Sequence, residues 1–121
     1  MPLKKIPYEF VTDILDGLDY RMQPMFGCQL IYLGNKMILL LRQREKEPQL
    51  NGVYVATLPE HYDNLRATLG LGDPPQLFSK NDKKEWLFLP EAHARFESAV
   101  VKACQLIKKG DRRIGKEKRV R

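Results

Sequence analysis

The chain has 121 residues, enough for one domain around a single core. Its hydrophobic share of 43% and charged share of 30% exclude a low-complexity disordered chain, and its longest apolar run, Met37–Leu41, is far too short to cross a bilayer. The net charge of +6 is local: residues 108–121 hold eight basic and two acidic side chains, so everything before them is balanced. The first seven residues are charged without an apolar stretch, so no signal peptide and no membrane partner are expected. Two cysteines, Cys28 and Cys104, are too few for a disulfide framework. They read as buried thiols of a cytoplasmic protein.

Pro7–Asp19 predicts an amphipathic helix, with Phe10, Ile14 and Leu18 recurring every fourth residue beside Val11 and Leu15. Tyr20–Pro24 reads as a connector. Cys28–Leu33 and Lys36–Arg42 read as two strands of a hairpin closed by Gly34-Asn35, where a glycine first in a two-residue loop suits a type II′ turn. Met37–Leu41 is apolar without alternation, so this strand is expected at the centre of the sheet with both faces covered. Gln43–Gly52 is polar, holds Pro48 and reads as a loop. Gly52–Thr57 alternates as a third strand. Thr57-Leu-Pro-Glu60 has capping-box spacing and predicts a helix over Pro59–Leu69 that stops at Gly70, with Tyr62, Leu65, Arg66 and Leu69 inward. Gln76–Ser79 and Lys84–Leu89 are expected as short strands, with Trp86 and Phe88 sharing a face. A last helix is expected from Pro90 to about Lys109, its stripe drawn by Ala92, Phe96, Ala99, Val100, Ala103 and Leu106. Beyond Gly110 no hydrophobic period continues, so 1–110 is expected as the domain and 111–121 as a mobile basic tail.

The candidates for chemistry are weak. Residues 110–117, GDRRIGKE, approach the P-loop pattern, but Glu117 stands where a magnesium-binding hydroxyl is needed, and the run follows a helix instead of opening one. His61 and His93 have no Cys or His at metal-ligand spacing. Cys28 has no activating base in its strand, and Ser79 and Ser98 lie in no nucleophile-elbow pattern. Trp86 and Phe88 could stack bases, but core packing is the simpler reading. No catalytic, metal or cofactor site is assigned, and no cofactor is expected. The charge cluster makes Lys108, Lys109, Arg112, Arg113, Lys116, Lys118, Arg119 and Arg121 candidate contacts for non-specific nucleic acid, with Arg21 and Arg42 as further cations.

The pieces RMQPMFG (21–27), LGNKMI (33–38), NGVYVAT (51–57) and GDRRIGK (110–116) make the chain resemble the TfoX/Sxy N-terminal domain family. The structural motif positions in this likeness are Met25, Phe26, Gly27, Gly34 and Asn35. The resemblance implies an α-β(3)-α-β(2)-α arrangement similar to secretion-chaperone folds. It also implies a stand-alone N-terminal-type domain without the family's helical C-terminal domain, and it supplies no enzymatic residues. Residues and resemblance agree on an α+β fold: an antiparallel sheet of about five strands with helices on one side. The expected function is a non-enzymatic regulatory or protein-interaction module, working as a homodimer or with a protein partner that covers the second sheet face. The alternative is a nucleic-acid-binding accessory protein using its tail.

Overall fold

An apolar run without alternation, such as Met37–Leu41, is stable in a strand only if both faces of its sheet are covered. A computed structural model, which describes residues 7–117, shows how the two covers are made. The elements are α1 (Glu9–Leu15), β1 (Tyr20–Met25), β2 (Cys28–Leu33), β3 (Lys36–Arg42), β4 (Gly52–Ala56), α2 (Pro59–Leu69), β5 (Trp86–Pro90), α3 (Phe96–Lys108) and β6 (Lys116–Glu117). Short 3-10 turns lie at Pro48–Leu50 and Lys80–Glu85. The strands form one antiparallel sheet in the order β1-β2-β3-β4-β5, and β6 pairs with β3. All three helices pack on one face, so the fold is α+β as expected.

On that face Val11 and Leu15 of α1, Leu65 and Leu69 of α2, and Ala99, Val100, Ala103 and Ile107 of α3 close over the sheet. They meet Ile31, Leu39, Leu41, Val53, Val55, Leu87 and Leu89, all buried. The second face carries Cys28, Leu30, Tyr32, Leu40, Tyr54, Ala56, Trp86 and Phe88, also buried, and none of the α-helices α1, α2 and α3 contributes to it. The expectation that a partner must cover this face is corrected: the chain covers most of it itself. Phe78, in the connection between α2 and β5, stacks on Trp86 at 4.6 Å and meets Tyr54 edge-on at 5.6 Å. The Lys116 ammonium lies 5.6 Å above the Trp86 ring, and the Arg21 guanidinium 4.5 Å above Tyr32. The Tyr54 hydroxyl donates to Leu50 O at 2.6 Å and ties the 3-10 turn to the same face.

The β2–β3 hairpin is as expected. Gly34 has φ +59 and Asn35 is not in the left-handed region, the φ pattern of a type II′ turn. Gly34→Val is expected to cost about 1–3 kcal/mol, because a β-branched side chain resists that φ although the space around it is open. A lower urea midpoint would show it, and an unchanged midpoint would contradict the turn.

Several elements differ from expectation. Tyr20–Pro24 is not a connector but most of β1, an edge strand in which Pro24 gives up a hydrogen bond that only a central strand needs. Tyr8 takes a left-handed φ of 51, so α1 begins at Glu9 and excludes Pro7 from its first turn. Gln76–Ser79 is no strand; this segment instead carries the Phe78 lid. Thr57 is no capping-box residue. Leu58 is the N-cap of α2, and the Thr57 hydroxyl donates instead to Arg113 O. The helix α3 starts at Phe96, leaving Ala92 exposed in a turn.

The expected mobile tail is corrected for residues 111–117. Ile114 is buried in the helix-side core, the Gly115 amide donates to Ala56 O at 2.7 Å, and β6 extends the ladder of β3 past the end of β4. Lys118, Arg119 and Arg121 lie outside the described residues.

Candidate functional site

The register of β1 with β2 pairs Met25 with Cys28, which leaves Phe26-Gly27 as a second two-residue loop. Both residues have positive φ, 50 and 79, as a type I′ turn requires. Glycine accepts this at little cost. Phenylalanine does not, and a bulky residue held there stores about 1–3 kcal/mol of strain. The ring gains no burial in return: Phe26 is 90% exposed. Among the described residues, only Phe26 and Leu77 are large apolar side chains left exposed.

Behind this turn lies a pocket of about 200 Å³. Cys28 and Leu40 reach it from the sheet, Met25 and Phe26 from the turn, and Leu77 and Phe78 from the lid. Its remaining lining is charged: Arg42, Arg44 and Glu47. Arg42 is 2% exposed. Its Nη1 donates to Glu47 O at 2.9 Å and to Asn51 Oδ1 at 2.7 Å, and its Nη2 donates to Lys46 O at 2.8 Å. Asn51 completes the frame, its Oδ1 accepting from Arg44 N and its Nδ2 donating to Arg44 O. The loop after β3 is thus wrapped around a buried guanidinium. Among the described residues no carboxylate lies within ion-pair distance of Arg42 or Arg44. Arg44 crosses the turn, where a Cβ on Gly27 would meet its guanidinium at 3.0 Å, and its Nη1 donates to Phe26 O at 3.4 Å.

Cys28 shares the pocket but is no nucleophile poised to react. Burial pushes its thiol up, against the pull of the Arg42 and Arg44 charges, so it stays protonated near neutrality. Cys104 is inside α3, its pKa pushed up to about 12 by burial alone. His93 is exposed and His61 half-buried, and no three His, Cys, Asp or Glu side chains among the described residues converge on a metal position. Ser79 and Ser98 donate to Asp82 and to Arg95 O. Trp86 and Phe88 are core residues, closed to bases.

The structure divides the candidate nucleic-acid contacts. Lys108, Lys109 and Arg112 are exposed around the end of α3. Arg113 is engaged: its guanidinium bonds Asp111 Oδ1 and Oδ2 at 3.0 and 2.8 Å and Asn64 and Thr68 at 2.6 Å each. Lys116 is 8% exposed and faces Asp82 at 3.5 Å and Glu85 at 3.4 Å. Arg42 is buried, and Arg21 lies on Tyr32.

These clasps make stability depend on acid. Hydrogen bonds from Arg113 hold the Asp111 carboxyl below its usual range. Burial would raise that of Asp82, but the Ser79 hydroxyl and the Lys116 charge outweigh it and lower it. A depressed folded-state pKa gives stability that is present above the unfolded value, about 4, and is lost as pH falls through the lower folded value. Unfolding free energy should therefore fall on acidification below about pH 4, and Asp111→Asn should flatten that acid limb. An equally steep limb in the variant would show that Asp111 is not held by Arg113.

No protein-family model matches the chain, and no curated protein or solved structure matches it either. The molecule is thus defined by its physics: an α+β domain with an apolar, cation-lined pocket at a strained hairpin tip. Among the described residues no helix is long and apolar enough to cross a membrane.

Proposed function

We propose that this chain is a non-enzymatic protein-interaction module of regulatory type, and that its recognition element is the β1–β2 hairpin tip. One observation carries the reading: Phe26 is held in a strained left-handed conformation and 90% exposed, beside an open apolar pocket. Strain without burial is a standing cost to the free domain, and docking of the ring on a partner would offset it. The occupant is a protein, either a second copy in a two-fold dimer or another chain. Kinship with the TfoX/Sxy N-terminal domains belongs to the same proposal, supported by the α+β layering and the turns at Phe26-Gly27 and Gly34-Asn35. A reducing cytoplasm fits two unpaired buried thiols.

The test is a photo-crosslinking residue placed at position 26 in cells, with position 97, exposed on α3, as control. Crosslinked product from 26 and not from 97 is expected, and its mass tells a second copy from another protein. No product from 26, or equal product from both, removes the reading.

A second reading, charge-driven nucleic-acid contact, rests on Lys108, Lys109 and Arg112, three exposed cations at one end of α3. If these three each neutralise a phosphate on duplex DNA, the slope of log K against log salt should be about −2.7. Fluorescence anisotropy at low and physiological salt measures it. Absence of binding at low salt excludes this reading and leaves the first untouched.

A further inference from the structure

We propose that the pocket behind the Phe26-Gly27 turn is a binding site for a small carboxylic acid with an apolar, ring-sized body. The pocket combines two features that water serves poorly. Cys28, Leu40, Leu77 and Phe78 give it apolar walls, and about 200 Å³ is slightly more than the engineered apolar cavity known to hold benzene. At the same margin stand two guanidiniums without a carboxylate partner among the described residues. Arg42 is the telling one. A buried cation is costly unless an anion or a full set of acceptors compensates it. Of the five N–H donors of a guanidinium, three are used on Glu47 O, Asn51 Oδ1 and Lys46 O, all uncharged acceptors. Arg44 adds a second positive charge and, among the described residues, spends only one long bond, 3.4 Å, on Phe26 O. Glu47 also lines the pocket; its backbone oxygen serves Arg42, and one acid against two bases leaves the site net positive. Charge and shape together select an anion whose body is hydrophobic, and a carboxylate suits planar guanidinium donors. Inorganic phosphate would leave the walls empty, and a long acyl chain would exceed the volume.

Such a ligand would bind whether or not a protein docks on Phe26, so the test is separate from the crosslinking. The full chain, labelled with nitrogen-15, is titrated with 3-phenylpropionate and, in parallel, with 3-phenylpropan-1-ol, which has the same body and no charge. The acid should shift the amides of residues 26–28, 40–44 and 77–78, and the alcohol should bind at least tenfold more weakly. Arg44→Gln changes an exposed residue and should weaken the acid at least fivefold without altering the spectrum elsewhere. Arg21→Gln, on the same sheet face but outside the pocket, should leave the affinity unchanged. Equal affinity for acid and alcohol would reduce the site to an apolar cavity and overturn the proposal. So would shifts located elsewhere, no saturable shift up to the solubility limit of the acid, or an Arg44→Gln affinity equal to the native one.

Discussion

Gly52→Ala should cost the domain about 3–5 kcal/mol, a large part of the roughly 5–15 kcal/mol that a domain of this size has to lose. Gly52 opens β4 with φ +153 and sits between Arg42 of β3 and Pro90 of β5. A Cβ there would stand 2.2 Å from Leu89 O, 2.9 Å from Phe88 Cε1 and 3.1 Å from Glu91 N. A flexible side chain could move aside from such a clash. The oxygen and nitrogen belong to the backbone of β5 and the turn after it, so relief requires β4 and β5 to separate. That shift would reach Asn51, whose carbonyl accepts from Glu91 N at 2.9 Å, and through it the frame of the pocket. With an m-value of about 2 kcal/mol/M the urea midpoint should fall by roughly 1.5–2.5 M. The comparison with Gly34→Val separates two mechanisms, since no atom lies within 4 Å of a Cβ on Gly34. If both variants lose the same amount, conformational strain alone explains them, and the close approach of β5 to Gly52 contributes nothing.

What could be read from the sequence was what short windows encode. The central strand announced itself by five apolar residues in a row, and the β2–β3 turn by Gly34. The helix α2 was bounded by Pro59 and Gly70, and its observed limits are the expected ones. What could not be read depends on partners far along the chain. Thr57 had the right neighbours for a capping box, but its hydroxyl finds Arg113, 56 positions away. β1 looked like a connector because an edge strand tolerates both polar side chains and a proline. The segment 111–117 has no period because a two-residue strand is held by backbone pairing, by one apolar anchor, Ile114, and by the polar clasps of Arg113 and Lys116. The site was least legible. The likeness pointed to Met25, Phe26 and Gly27 as a turn, but not to an exposed ring. The pocket joins residues 25–28, 40–47 and 77–78, which no sequence window contains. One signal was available: Arg42 ends an apolar strand at a position whose neighbours in the sheet are buried. That pointed to an internal cation better than to a phosphate contact.

Arg42→Met tests that internal role and should cost about 1–3 kcal/mol. Two effects oppose each other. Methionine keeps much of the apolar stem and removes a buried charge that has no carboxylate partner, which by itself would stabilise the fold. It also removes three charge-assisted donors, and a hydrogen bond from a charged group contributes about 1.5–3 kcal/mol. Lys46 O then loses its Nη2 donor and Glu47 O its Nη1 donor, and Glu47 already holds a left-handed φ of 50. Asn51 Oδ1 keeps only Arg44 N. The loss should therefore win, and it should be local before it is global. Amide exchange across residues 43–51 should accelerate at least tenfold, while the core strands exchange as before apart from the lower global stability. Tyr8 reports how far the change spreads, because its hydroxyl lies 2.8 Å from Arg42 O and anchors the start of α1 to the same strand end. That bond is to the backbone and should survive the substitution, leaving α1 protected. A variant as stable as the native chain, with unchanged exchange in 43–51, would show that the guanidinium does not hold the loop. The order of the loop would then rest on the bonds of Asn51 to Arg44 and not on Arg42.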